Sequence, residues 1–253
     1  MTGLDVILLP EELQGKELTN YLVVVIDVLR ASSTIITALA EGASKIIPVY
    51  LPEETQKRAE TFQPGEALLC GERNGKKLAD FDLGNSPREY NNIKVKGKII
   101  LLTTTNGVKT IELVQKAKKV IIGSFLNIQA IVHYCRSYCG KILLVCAGDR
   151  GIVSLEDTVC AGMIMALCKD QSQKFAVQND DSLIACRLYR EFKDDLLAMM
   201  QKSIWGQHLL ELGLEQDLIY CSQENIYHHI PVVKGDSIID DDCFREYHGI
   251  KMQ

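Results

Sequence analysis

A chain of 253 residues with 47% hydrophobic and 24% charged side chains can bury a substantial core, and its composition excludes a disordered or fibrous protein. The net charge of -5 leaves no basic footprint, which argues against general nucleic-acid binding, so an anionic ligand must find its positive charge locally. No uninterrupted apolar run of about 18 residues occurs, and the opening MTGLDVILLPEELQGKELTN carries acids where a secretory signal carries bases; a cytoplasmic protein with no membrane partner is the expectation.

The predicted elements alternate from the start. Residues 22–26 read as a strand, 32–40 as a helix stopped near Gly42, and 45–49 as a second strand. A helix over 52–62, extended segments at 67–70 and 99–102, a helix over 108–117 and a strand at 120–122 come next. The pattern continues with a helix at 127–138, a strand at 142–145 and a helix at 156–168. Such alternation predicts an α/β fold of three α/β/α layers around a mainly parallel or mixed sheet. The last third reads as a long helix over 181–201, a second at 207–212 and a final strand at 229–233. With no linker rich in Pro, Gly or Ser and no repeat, one domain spanning 1–253 is expected, two lobes being the alternative.

The nine cysteines are scattered through apolar runs, as reduced thiols packed in a core would be, rather than a disulfide framework. The helix 157–168 carries Cys and Met on apolar faces, which suits the core; a homodimer interface is the other reading of the same pattern. The segment 71–97, GERNGKKLADFDLGNSPREYNNIKVKG, shows only a short helix near 87–91, and a connection of that length inside a compact domain points to function.

The residues just beyond each apolar run are the most informative. One run leads into Asp27 and Arg30, another into Glu72 and Arg73, another into Asp149 and Arg150, and IILL leads into TTTNG, residues 103–107. In a parallel sheet these ends share one edge, where open α/β sheets bind ligands. Helix starts near Ser32 and Asn106 would present free N–H groups to an anion, and arginines add bidentate contacts to phosphate or carboxylate oxygens. Carboxylates interleaved with them would repel an anionic substrate unless a cation lay between, and Mg²⁺ is the natural choice because it takes few carboxylates and completes its shell with water and phosphate. The bland alternative makes each acid–arginine pair a structural salt bridge.

Established solutions to phosphoryl transfer do not fit. There is no G-x-x-x-x-G-K-[ST] loop, the spacings Cys70 to Arg73 and Cys146 to Arg150 are too short for a thiolate phosphatase cradle, and Ser32 and Ser33 lack a histidine partner. Asp80-Phe81-Asp82 has the letters of an aspartyl-phosphate phosphatase but falls in the long loop, with Gly84 where a hydroxyl or valine is expected. Among His133, His208, His228, His229 and His248 no H-E-x-x-H occurs, and His133 with Cys135 and Cys139 lacks a second zinc-ligand pair.

The motifs DVLRASST (27–34), GER-N-G followed by FDLGNSP (71–87), TTNG (104–107), and CAGDRG with SLEDTVCAG (146–162) occur in order over roughly the first two thirds of the chain. Together they resemble the 2-phosphosulfolactate phosphatase family of coenzyme M biosynthesis. The resemblance implies a Mg²⁺-dependent phosphatase that hydrolyses the phosphate ester of a 2-hydroxy acid, 2-phospho-3-sulfolactate being the namesake. Two positions depart from the family pattern: Asp80 stands where glycine is usual and Val108 where threonine is usual. The resemblance and the residues together assign catalysis to Asp27, Arg30, Glu72, Arg73 and Asp149. They assign substrate binding to Arg30, Ser32, Ser33, Arg73, Asn85, Thr105, Asn106 and Arg150, and metal binding to Asp27, Glu72, Glu156 and Asp157. Adjacent helical residues point about 100° apart, so one of Glu156 and Asp157 is expected to cap its helix instead. Asp82 lies near Asn85 in the loop and is read either as completing the site or as a turn residue. A phosphotransferase or lyase on a related phospho-acid, and a non-catalytic anion-binding module, are the rival readings.

Overall fold

The computed structural model describes residues 2–170, 175–176 and 179–241; Cys243 and His248 lie outside them. The chain opens with strands β1 (Thr2–Ile7) and β2 (Tyr21–Ile26), helix α1 (Ala31–Ala40), β3 (Lys45–Pro48) and α2 (Pro52–Ala59). The hairpin β4 (Ala67–Arg73) and β5 (Lys76–Lys77), a short α3 (Asn92–Val95), β6 (Ile99–Thr103) and α4 (Gly107–Leu113) lie beyond it. Next come β7 (Lys119–Gly123), α5 (Ile128–Ser137), β8 (Lys141–Cys146), α6 (Leu155–Asp170) and β9 (Phe175–Ala176). The chain continues with α7 (Asp180–Phe192), α8 (Leu196–Lys202), α9 (Ile204–Glu211) and α10 (Glu215–Cys221), before β10 (Pro231–Lys234) and β11 (Ser237–Asp240). Among the described residues no helix is long and apolar enough to cross a membrane.

The strands form one sheet in the order β5-β4-β6-β3-β11-β10-β7-β2-β8-β1-β9. β2 shows why these residues pair. Its β-branched run suits an extended backbone, and period-two alternation sends Leu22, Val24 and Ile26 into one core while Val23 and Val25 enter another. The first core is closed by α5 through α9, including Phe125, Ile131 and Met165. The second holds Ile35 and Leu39 of α1 and Ile111 of α4 against Ile46 and Ile100 from one end of the sheet and Val120 and Val145 from the other. The sheet therefore wraps around α1 and α4. A smaller cluster of Ile47, Ile99 and Leu101 packs on the α2 side, so both flanks are three layers deep.

The expectation of a single ligand-binding edge needs correction. β4, β6 and β3 run parallel to one another, as do β7, β2, β8 and β1. Between β3 and β7 lie β11 and β10, and each pairing across this seam is antiparallel, so the two parallel blocks point in opposite directions. Residues at the carboxyl ends of both blocks nonetheless meet, with Asp27 after β2, Glu72 of β4 and Asn106 after β6 lining one cleft.

Other differences are local. The long helix expected over 181–201 is two, because Asp195 caps a new start by accepting the Ala198 N–H at 2.9 Å. The segment after Gly71 carries the β4–β5 turn, a 3₁₀ turn at Pro87–Glu89 and α3. Asp82 accepts the Leu69 N–H at 2.8 Å, so it closes a turn rather than the site. β1 escaped the sequence reading, yet Leu4 and Val6 are fully buried beside Ile142 and Leu144 of β8. The Cys- and Met-bearing helix α6 is core: Val159, Cys160, Met163, Met165 and Cys168 all pack within the chain. Six cysteines are buried and no disulfide forms among the described residues.

Candidate active-site cleft

The end of β2 and the start of α1 form one side of the site. Asp27 is buried; its Oδ1 accepts the Ala31 N–H at 3.1 Å, its carbonyl accepts the Ser32 N–H at 2.8 Å, and its own N–H donates to the Ser32 hydroxyl at 2.9 Å. The Ser33 hydroxyl donates to the Val28 carbonyl at 2.9 Å. Ser32 and Ser33 thus build the corner, and the helix start that was expected to face an anion is capped by Asp27 instead. The second inner helix meets it head on. A Cβ added to Gly107, the first residue of α4, would stand 2.6 Å from the Ala31 Cβ and 2.7 Å from Asp27 Oδ2, so only glycine lets the two helix starts touch.

Across the cleft, β4 ends in Glu72. Its Oε1 accepts the Thr105 N–H at 2.8 Å and the Thr105 hydroxyl at 2.9 Å, and its Oε2 accepts the Gly75 N–H at 2.8 Å. Glu72 and Thr105 therefore lock the β4–β5 turn to the loop after β6. Arg73, the next residue on the strand, must point to the opposite face. It donates to the carbonyls of Tyr50 at 2.7 Å and Glu72 at 2.8 Å, and to the Thr103 hydroxyl at 3.1 Å, which places its guanidinium outside the cleft.

Arg30 is the buried cation. Its Nη1 donates to Asp217 Oδ2 at 2.5 Å and its Nη2 to the Gly75 carbonyl at 2.7 Å, with both members of the ion pair under 4% exposed. Asp217, on α10, also accepts the Ser86 hydroxyl at 2.6 Å. One network thus joins α10, Arg30, the β4–β5 turn and Glu72.

The loop after β8 supplies the rim. Asp149 and Ile152 exchange backbone hydrogen bonds around Arg150 and Gly151, both at positive φ, as in the tight turns that close hairpins. Arg150 Nε lies 3.2 Å from Asp149 Oδ1, and its guanidinium sits 5.8 Å from the ring of Trp205. The Asn106 amide bridges from the other block, donating to Asp149 Oδ1 at 3.1 Å and accepting the Arg150 N–H at 3.3 Å. Behind the rim, the two carboxylates at the start of α6 face different ways, and neither caps the helix as was expected of one of them: the Ser154 hydroxyl does, accepting the Asp157 N–H at 3.2 Å. Asp157 accepts the Val28 N–H at 2.8 Å and the Gly148 N–H at 3.3 Å, tying the ends of β2 and β8 together with both of its oxygens. Glu156 faces Ser154 and Ser203 instead, whose hydroxyls favour its charged form.

These groups frame a small polar cleft with a cavity volume of about 10 Å³, lined by Asp27, Arg30, Glu72, Asn85, Asn106 and Trp205 among others. Its electrostatics are acidic at the centre. Burial pushes the Asp27 carboxyl up to about 7, and the neighbouring Glu72, Glu156 and Asp149 add to the rise, against the opposing Ala31 N–H. Burial raises Glu156 as well, and it holds Asp157 well above the carboxylate range with help from Asp27 and Glu156. Oxygen donors crowded until they repel suit a hard divalent cation. Among the described residues no three acidic, histidine or cysteine side chains form a ready cage, so a cation here would rest on one or two carboxylates and complete its shell from water and ligand, as Mg²⁺ does. Asp27 and Glu156, with Asp149 beside them, are the carboxylates suited to it; both oxygens of Asp157 are already engaged.

Asp217 and Trp205 belong to this constellation without any sequence motif to announce them, while Gly75 and Ser86 fall within GER-N-G and FDLGNSP but had no role assigned. Trp205, the chain's single tryptophan, was the one available signal.

Comparison with known proteins matches residues 7–236 to the family model described as 2-phosphosulpholactate phosphatase. A probable 2-phosphosulfolactate phosphatase of Thermotoga maritima is 42% identical over 220 residues, covering 86% of this chain and 92% of that protein. Its counterpart in Thermotoga petrophila is 41% identical over 219 residues with the same coverage, and one in Gloeothece citriformis is 38% identical over 217 residues, covering 85% and 90%.

Proposed function

The chain belongs to the 2-phosphosulfolactate phosphatase family of phosphoric monoester hydrolases, and we propose that its cleft hydrolyses the phosphate ester of a small 2-hydroxy acid in a Mg²⁺-dependent reaction, 2-phospho-3-sulfolactate to 3-sulfolactate and phosphate being the reading that the relatives' names support. The observation that carries it is that Asp27 and Arg30, three residues apart at one corner, are both buried and line the same small cleft.

The substrate carries phosphate, carboxylate and sulfonate on adjacent carbons, so its site needs cationic and amide donors close together. Arg30 and Arg150 with the Asn106 amide supply them. Arg30 is held by Asp217 and Gly75 before substrate arrives, so no reorganisation is required when charge shifts in the transition state. Asp27 and Glu156 would hold Mg²⁺, which when bound neutralises charge on the transferring phosphoryl group. Glu72 and Asp157 fix the loops that frame the reaction.

Phosphate release from a panel of 2-phospho-hydroxy acids, including phosphosulfolactate and phospholactate, with Mg²⁺ and then with EDTA tests this reading. Release that requires Mg²⁺ supports it. No release, a phosphorylated acceptor, or an unsaturated acid as product would replace it with an anion-binding module, a phosphotransferase or a lyase.

A further inference from the structure

The amide oxygen of Asn85 is buried in the cleft region with no hydrogen-bond partner, in a residue only 4% exposed. An unsatisfied buried carbonyl of this kind is costly, so a donor is expected in the working protein. The hydrogen bonds made around it go to other acceptors. The Thr34 hydroxyl donates to the backbone carbonyl of Asn85 at 2.9 Å, not to its side chain, and the Ser86 hydroxyl goes to Asp217. Arg30 serves Asp217 and Gly75, and the Asn106 amide serves Asp149. Asp27 and Glu72, which share the cleft with Asn85, are acceptors in their charged forms.

The substrate does not answer the need either. Ionised phosphate, carboxylate and sulfonate present only acceptor oxygens and would be repelled by a carbonyl. The unused N–H groups of Arg30 and Asn106 serve the substrate's anionic oxygens in the reading above, so the partner that suits this lone acceptor is a small O–H donor that must reach phosphorus. We propose that Asn85 is a positioning residue whose Oδ1 accepts one O–H of the water that attacks phosphorus, an inference that rests on the hydrolase reading above. The water oxygen forms the new P–O bond as the ester P–O bond breaks, and the electron pair of that bond stays on the C2 oxygen. The hydrogen held by Asn85 remains on the phosphate, while the other ends on the C2 oxygen, giving one hydroxy acid and one hydrogen phosphate.

This assignment differs from a structural role in a measurable way. Because the Asn85 Oδ1 makes no hydrogen bond in the fold, Asn85→Ala leaves the thermal midpoint nearly unchanged. Loss of a positioned nucleophile lowers kcat about 10²-fold with KM nearly constant. Asn85→Asp keeps an acceptor oxygen and recovers part of kcat. Affinity for inorganic phosphate, measured by calorimetry, and the Mg²⁺ concentration for half-activation stay within twofold of wild type in Asn85→Ala. Retained kcat in Asn85→Ala overturns the proposal, and so does a tenfold shift in KM, phosphate affinity or Mg²⁺ activation, each of which makes Asn85 a substrate or metal ligand instead. Wild-type protein that releases no phosphate from any acid in the panel removes the hydrolase reading itself, and this one with it.

Discussion

Asp217→Ala removes the carboxylate that faces Arg30 from α10. The pair is 2.5 Å apart and almost wholly shielded from water, so the remaining guanidinium keeps only the Gly75 carbonyl as a partner. Breaking a buried pair from one side costs about 3–5 kcal/mol, and the Ser86 hydroxyl loses its acceptor for about 1 kcal/mol more, a total of about 4–6 kcal/mol. Set against a typical stability of about 5–15 kcal/mol, that is a large fraction of the whole. With a urea slope of about 3 kcal/mol/M, the unfolding midpoint falls by about 1.3–2 M. Because the charges are buried, raising the ionic strength leaves the loss in place, which separates this pair from a surface salt bridge. The double variant Arg30→Met with Asp217→Leu recovers most of the stability, since apolar side chains of similar volume replace the pair, while hydrolysis stays lost with Arg30. A midpoint for Asp217→Ala within about 0.3 M of wild type would refute the reasoning, because on the same slope it corresponds to a pair worth about 1 kcal/mol.

Other outcomes rest on single contacts. Gly107→Ala places a methyl group against Ala31 and Asp27, so it costs about 1–3 kcal/mol in denaturant unfolding and lowers kcat/KM, whereas Gly97→Ala, far from any neighbour, spares catalysis. Arg73→Met loses stability, measured by thermal unfolding, but keeps kcat/KM within a few-fold, while Arg150→Ala at the rim raises KM; an inactive, well-folded Arg73→Met would return Arg73 to the reaction. Cys70 and Cys221 are held up to about 12 by burial, from an ordinary 9.0. Their folded values lie above their unfolded ones, so the unfolded chain loses these protons first. Stability intact below pH 9.0 is lost as pH rises toward 12, by about 4 kcal/mol for each thiol once both values are passed. Native labelling with iodoacetamide should reach exposed Cys139 and spare Cys221 until unfolding, which mass spectrometry reads directly.

The parts of the fold that a reader of the sequence can find are those where local chemistry and burial agree. β2, β6 and β8 are β-branched or aliphatic runs buried along most of their length, and α1 begins after a clear break. β1 interrupts its apolar residues with Asp5 and β11 is short, so neither announces itself, whereas the strand expected at 229–233 overlaps β10; the pairing of all three is decided by distant strands. In the site, Asp27, Arg30, Asn106 and Glu72 were legible because each stands where an apolar run gives way to polar residues, and Asn85 because the FDLGNSP motif of the long loop carries it; the structure brings all five to one cleft. Arg73 misled because acid and arginine were read as a unit, although neighbours on a strand face opposite sides. Ser32 and Ser33 misled because a hydroxyl at a helix start serves the corner as readily as a ligand. Asp217 was invisible: LEQDLI is an ordinary helical phrase, and only the long-range contact with Arg30 gives its carboxylate a purpose.

The seam between the oppositely directed blocks bears on how the molecule is made. β10 and β11 lie late in the chain but in the middle of the sheet, between β3 and β7. During synthesis both blocks emerge before the hairpin that joins them, and until it arrives the facing edges of β3 and β7 are unpaired, with Ile46 and Ile121 on strands awaiting partners. Open edges of this kind invite pairing with other chains. A nascent or clipped polypeptide lacking the hairpin therefore holds every cleft carboxylate and arginine named above, yet has no means of setting the two halves of the cleft at their working distance. Premature termination anywhere before the hairpin is a loss of catalysis and a source of aggregation at once, and the last-made strands act as the checkpoint for assembly.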